Sequence, residues 1–214
     1  MDDFENQRLS MVSRQIEARG IHDVRLLDAM RRVPRHAFIA PQYWPDAYAD
    51  HPLPIGSEQT ISQPYVVAYM TDLLRLQGDE TVLEVGTGSG YQAAILSLLV
   101  KQVHTIERHA ALAENARQVL ERLGYLNVQV HVGDGSLGLP AFAPFRAILV
   151  AAAAPQVPQP LLDQLADGGT LVLPAGHTGN QILECWQRHG ENFQHRAVLP
   201  VAFVPLIGKL GFDA

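Results

Sequence analysis

The chain has 214 residues, 47% of them hydrophobic and 18% charged, and a formal net charge of −6. That length suits one large domain with an ample core, and the composition is that of an ordinary globular chain. The acidic balance gives no basic field to collect nucleic acid or acidic lipid, so neither nucleic acid nor a membrane is expected as a partner. One cysteine, Cys185, supports neither a disulfide framework nor a zinc site and reads as a small buried hydrophobe. The stretch Met1 to Glu5 is acidic and lacks the basic and apolar regions of a secretory leader. No apolar run is long enough to span a bilayer, so the expected location is the cytoplasm.

Residues 6 to 19 read as a helix with Leu9, Val12 and Ile16 on one face, closed by Gly20. Asp23 can cap a second helix that turns Val24, Leu27 and Met30 inward and stops at Pro34. Residues 34 to 56 hold five prolines together with Phe38, Tyr43, Trp44 and Tyr48. So many aromatics mark a packed, irregular segment rather than a linker, and an N-terminal cap over a later sheet is expected. Pro64 suits the first position of a helix whose core face is Val67, Met70 and Leu74. Thr60, Ser62 and Gln63 then stand just ahead of a helix start, where Ser and Thr are common simply as caps.

Val82 to Gly90 reads as a buried strand, a glycine turn and the start of a helix. Such a unit is a nucleotide-binding device, because glycine lets the backbone approach a ligand and the helix start offers free N–H groups. A dinucleotide fingerprint requires G-x-G-x-x-G, but the glycines here are Gly86, Gly88 and Gly90, and Tyr91 stands where the third is wanted. Glu84, at the strand end, would repel a pyrophosphate and attract a ligand carrying an ammonium and a sulfonium. The spacing therefore favours S-adenosylmethionine over a nicotinamide dinucleotide, with a plain tight turn as the bland alternative.

Val103 to Glu107 is the next strand, and its terminal acid falls seventeen positions after Gly90. That is close to the spacing at which a carboxylate grips both ribose hydroxyls. A helix over 109–123 buries Leu112, Ala116, Val119 and Leu123 and stops at Gly124. Val128, Val130 and Val132 alternate with polar residues, so that strand is half exposed and near an edge. It delivers Gly133-Asp134-Gly135, a turn able to hold an adenine amino group or to be only a surface turn. Residues 147–150 form a fully buried strand leading to four small alanines, Ala151 to Ala154. A helix with Leu161, Leu162 and Leu165, closed by Gly168-Gly169, precedes a strand over 170–173. Turn residues around 179–180 and 190–192 predict an antiparallel pair, and a last strand ends at Phe203-Val204-Pro205-Leu206. The nine histidines have no metal-site spacing.

Gln59-Thr60-Ile61-Ser62-Gln63-Pro64 and Glu84-Val85-Gly86-Thr87-Gly88-Ser89-Gly90-Tyr91-Gln92 together resemble the signatures of the protein-L-isoaspartate (D-aspartate) O-methyltransferases. The likeness runs from about residue 7 to about residue 208. It implies a class I S-adenosylmethionine-dependent methyltransferase of Rossmann-like α/β fold. The expected sheet is seven-stranded and mostly parallel, with an antiparallel C-terminal strand pair and an N-terminal helical cap. A single domain is expected, divided into cap and substrate loop (1–64), cofactor-binding core (65–174) and C-terminal strands (175–214).

The resemblance also assigns residues. Ser62 is implied as the active-site residue. Cofactor contacts are implied for Gln59, Ser62, Glu84, Gly86, Thr87, Gly88, Ser89, Tyr91, Glu107, Arg108, Gly133, Asp134 and Gly135. Thr60, Ile61, Ser62, Ala151 and Val204 are implied to line the substrate groove. The expected partners are proteins and peptides carrying isoaspartyl residues, met by a monomer. Two departures stand out: Arg146 replaces the family's usual Asp, and Ala151 its usual Thr or Gly.

The chemistry is consistent with the residues present. A substrate carboxylate with a pKa near ~4 is already ionised at neutral pH and needs no general base, and no His/Asp dyad is evident. Three alternatives stay open at this stage: the same fold acting on another carboxylate or a small molecule, a non-catalytic cofactor-binding module, and a nicotinamide oxidoreductase. The last lacks a Tyr-x-x-x-Lys pair.

Overall fold

The N-terminal quarter folds as helices and a hairpin laid over one end of a sheet, in a computed structural model that describes residues 3–213. Met1 and Asp2 of the acidic N-terminal stretch lie outside the described residues. Helix α1 (Asp3–Met11) widens into a π turn over Val12–Ile16, tightens over Glu17–Arg19 and ends at Gly20 with φ 94°. Met11, Val12 and Ile16 are buried, whereas Leu9 is exposed, because the wider winding rotates the inward face past it. Helix α2 (Val24–Arg32) is capped by the Asp23 carboxylate, which accepts from the N–H groups of Arg25 and Leu26. Leu26, Leu27, Ala29 and Met30 form its buried stripe. Val24, expected inward, is 74% exposed, since the first turn overhangs the packed face.

The segment expected to be irregular contains short 3₁₀ turns and the first strand of a hairpin. Strands β1 (Leu53–Gly56) and β2 (Gln59–Ile61) pair antiparallel around Ser57 and Glu58, both with positive φ (50° and 57°). Helix α3 (Pro64–Leu73) starts on its proline, with Val67, Met70 and Leu74 buried as anticipated.

The remaining strands make one sheet. They are β3 (Thr81–Val85), β4 (Gln102–Glu107), β5 (Val128–Val132), β6 (Phe145–Val150), β7 (Leu165–His177), β8 (Asn180–His189) and β9 (Asn192–Val201). Their spatial order is β5-β4-β3-β6-β7-β8-β9. The first five are mutually parallel, and β8 runs antiparallel to both β7 and β9. The parallel strands are joined by crossovers carrying α4 (Tyr91–Ser97), α5 (Ala110–Arg122) and α6 (Gln159–Asp163). This is the anticipated mostly parallel seven-stranded sheet with antiparallel C-terminal strands, and β5 is indeed at an edge.

Alternation along β3 separates two cores. Val82 faces a core shared with the N-terminal helices, α3 and α4. Leu83 and Val85 face a second core with Ile148, Val150, Leu161 and Leu206.

Three expectations are corrected at the C-terminal end. The α6 helix stops at Asp163, and Leu165 already pairs with Phe145 as a strand residue. Gly168-Gly169 forms an irregularity within β7 rather than a helix stop, with Gly168 at φ 69° and no room for a Cβ on Gly169, which would come within 2.7 Å of the Ala166 carbonyl. The last strand ends at Val201, so residues 203–206 continue only as isolated bridges, Pro205 pairing with Ala153. Cys185 is half-buried on β8 rather than fully inside.

Candidate active site

Parallel strands leave their carboxyl ends at one rim, and ligands bind there because the following turns converge. In this chain the rim carries a cleft between β3, β4 and β6 on one side and the hairpin and C-terminal segment on the other. The turn after β3 needs left-handed backbone at Gly86, Gly88 and Gly90 (φ 92°, 52° and 89°), which side-chain-bearing residues resist. Thr87 sits at its centre, its hydroxyl 2.7 Å from that of Thr105 on β4.

Glu107 ends β4 and fastens the glycine turn. One carboxylate oxygen accepts from the Gly88 N–H at 2.9 Å and the other from the His109 N–H at 2.9 Å. Each oxygen keeps a lone pair, and the carboxylate forms part of the cleft wall.

Glu84 is placed differently from what the glycine-turn motif suggests. It is 0% exposed, lies beneath the turn and does not line the cleft. Its carboxyl accepts from the Thr105 hydroxyl, which links it to Thr87. Burial drives its pKa up to about 8, and the nearby Glu107 pushes the same way. At neutral pH it is therefore an uncharged acid and offers no charge to a ligand.

Tyr91, the residue that breaks the dinucleotide pattern, anchors the cap to the glycine turn. Its ring lies edge-on to Phe38 at 5.6 Å and under the Arg35 guanidinium at 5.1 Å. Burial raises its phenol pKa.

The Thr60-Ser62 loop leaves the β1–β2 hairpin. The start of α3 at Gln63 has no side-chain cap, so neither Thr60 nor Ser62 serves as one. The Ser62 hydroxyl makes no hydrogen bond among the described residues and lines the cleft.

The cleft gathers Gln59, Thr60, Ile61, Ser62, Gly86, Thr87, Gly88, Ser89, Tyr91, Glu107, Arg108, Gly135, Ala151 and Val204. Gly133 and Asp134 are not in its wall. The Asp134 carboxylate is engaged by the Ser136 N–H and hydroxyl and by the Lys209 N–H at 2.8 Å. Burial works to raise the Asp134 pKa, but these hydrogen bonds outweigh it and the net direction is downward. Its evident task is to pin the C-terminal segment, and Ile207 of that segment lines the cleft. Sequence reading missed Ile207, Ile106 and Val85 as cleft residues. Val85 and Ile106 look like ordinary core residues in a linear pattern but stand at the strand ends that form the rim, and Ile207 reaches the cleft only because the tail closes over that rim.

Of the two departures, Arg146 points away from the site and donates to the Gly168 carbonyl. Ala151 stands at the rim, its N–H held by the Val85 carbonyl at 2.8 Å. A second groove of about 750 Å³ opens from the cleft, sharing Thr60, Ser62, Ala151 and Val204 with it.

The model of the protein-L-isoaspartate(D-aspartate) O-methyltransferase family matches residues 6–211. The chain belongs to this family. Family relatives include protein-L-isoaspartate O-methyltransferase 1 of Syntrophobacter fumaroxidans, 53% identical over 213 residues and 100% of both chains. The protein-L-isoaspartate O-methyltransferase of Methanoregula boonei is 53% identical over 97% of this chain and 96% of its own. Among solved structures, a protein-L-isoaspartate O-methyltransferase superposes with a TM-score of 0.85 at 27% identity, covering 97% of this chain and 67% of that one. A Plasmodium falciparum structure, described as a family member in complex with S-adenosyl-L-homocysteine, shares the fold with a TM-score of 0.82 at 24% identity, over 94% and 98% of the two chains.

S-adenosylmethionine, the family's methyl donor, fits the residues present. Glu107 supplies two acceptor oxygens suited to a ribose diol. Glycines at 86, 88 and 135 keep side chains out of the wall; a Cβ on Gly135 would come within 2.4 Å of Val85 Cγ1. Ile106 and Leu206 give an apolar surface for a flat base.

Proposed function

We propose that this chain is a repair enzyme that transfers the methyl group of S-adenosylmethionine to the free carboxylate of L-isoaspartyl, and D-aspartyl, residues in damaged proteins and peptides. The observation that carries this is Ser62: a hydroxyl with no hydrogen bond among the described residues, placed where the cofactor cleft meets a second groove of about 750 Å³. The donor supplies an electrophilic methyl carbon on a positively charged sulfur. The chain supplies position. Glu107 holds the ribose end, Gly86 to Ser89 present backbone to the amino-acid end, with Gln59, Tyr91 and Arg108 completing that wall. Gly135 borders the adenine, and Gly133 and Asp134 shape its loop from behind.

Ser62, with Thr60 and the backbone at Ile61, donates hydrogen bonds to one oxygen of the incoming carboxylate and leaves the other free to react. Ala151 and Val204 border the same anion. The carboxylate arrives ionised, so no residue has to remove a proton. Orientation of this kind can supply on the order of 7 kcal/mol. Opposite charges cancel as the reaction proceeds, and the apolar residues around the rim favour that cancellation by excluding water.

The division into cap, core and C-terminal strands follows the same logic, since each contributes one wall. All walls come from one chain, which supports a monomer, and the net charge of −6 supports a protein substrate rather than nucleic acid. Labelled S-adenosylmethionine offered with two peptides differing only in isoaspartyl against aspartyl linkage tests the reading. Label on the isoaspartyl peptide alone is expected; equal label on both, or none, would refute it.

A further inference from the structure

The groove that opens from Ser62 has one charged side chain in its wall, Arg19. Apolar residues such as Val66, Leu199 and Phe203 form most of the remainder. The Arg19 guanidinium is held flat on the Tyr65 ring, 3.3 Å from its centroid. Its Nη1 donates to Asp50 at 2.8 Å, yet the side chain stays 42% exposed. Stacking and one ion pair fix the plane of the fork while its other nitrogens have no hydrogen-bond partner among the described residues. A guanidinium so fixed is ready for a carboxylate, because little freedom remains to be lost.

Asp50 does not cancel the charge. It engages one nitrogen of the fork, which leaves the rest of the partly exposed guanidinium at the groove wall of a chain that is acidic overall.

We propose that Arg19 is a specificity-determining residue that binds a second carboxylate of the substrate peptide, next to the isoaspartyl group held at Ser62. This rests on the reading of Ser62 given above. The second carboxylate can come from an Asp or Glu side chain flanking the isoaspartyl residue or from the peptide's C-terminus.

The test measures KM and kcat for isoaspartyl peptides that are acetylated and amidated and carry Glu, Gln or Lys at each flanking position in turn. The Gln peptide is also assayed with a free C-terminal carboxylate. Glu at one or more positions, or the free C-terminus, is expected to lower KM about fivefold against the neutral peptide, with the effect in KM and not in kcat. Which of the two does so identifies the source. In Arg19→Gln the ratio between acidic and neutral peptides should fall to about one, and Arg19→Lys should retain part of it. A merely structural role would change all peptides alike and leave the ratio standing. Ratios within about twofold in the unsubstituted protein, or a ratio that survives in Arg19→Gln, would overturn the assignment. Failure to methylate even the neutral isoaspartyl peptide would instead overturn the reading of the reaction, and this assignment with it.

Discussion

Glu107, the last residue of β4, accepts the Gly88 N–H of the turn that follows β3, at 2.9 Å. One carboxylate therefore has two duties, closing the glycine turn and facing the cleft. Glu107→Ala should raise the Kd for S-adenosylmethionine at least tenfold and also cost about 1–3 kcal/mol of stability, because two backbone donors lose their acceptor. Calorimetric titration and chemical denaturation read the two effects separately. An unchanged Kd would remove Glu107 from the site.

Ser62 is the contrasting case, since its hydroxyl has no hydrogen-bond partner among the described residues. Ser62→Ala should lower kcat on an isoaspartyl peptide by about tenfold to a hundredfold, as loss of a hydrogen bond to a charged group predicts. Thermal stability should stay within about 0.5 kcal/mol of the parent, and cofactor affinity should be largely kept. A large loss of cofactor affinity would show that Ser62 serves the donor rather than the acceptor.

Glu84 makes stability depend on pH. Its folded-state pKa, about 8, lies above the ordinary 4.5. The protonated form is favoured by folding, so its contribution is full below pH 4.5 and is lost as pH rises through 8. Between those limits it lowers stability by about 1.4 kcal/mol per pH unit. Glu84→Gln, which mimics the neutral acid, should flatten that decline and be more stable than the parent at pH 8. Urea unfolding of the cofactor-free protein at pH 6 and pH 8 would detect it, and parallel curves for the two proteins would show that Glu84 is ionised in the fold.

Gly135 sits against the end of β3. A methyl group there would stand 2.4 Å from Val85 Cγ1, so Gly135→Ala should cost about 1–3 kcal/mol and weaken cofactor binding. Adding Val85→Ala removes the clashing atom and should restore much of the lost affinity despite its own cavity cost. Additive losses in the double variant would place the strain elsewhere.

Patterns local in the chain were legible before any coordinates. The glycine turn, the terminal acid of β4, the Asp23 cap and the proline start of α3 are each decided by a few adjacent residues, and each stands where the sequence puts it. Family membership was equally legible, since two short motifs carry it. Long-range packing decided the rest. Leu165 reads as helix by its leucine spacing, but pairing with Phe145 makes it strand. Glu84 and Glu107 look alike as acids closing or nearly closing two neighbouring strands. Glu84 pairs with Thr105, two residues before Glu107 on the same face, so depth along the strands rather than facing separates them: Glu84 is a neutral acid buried beneath the turn, and Glu107, at its strand's end, forms part of the cleft wall. Asp134 holding Lys209, across 75 positions of chain, and Arg19 stacked on Tyr65 are contacts no linear pattern encodes. They exist because the tail and the cap fold back over the rim of the sheet.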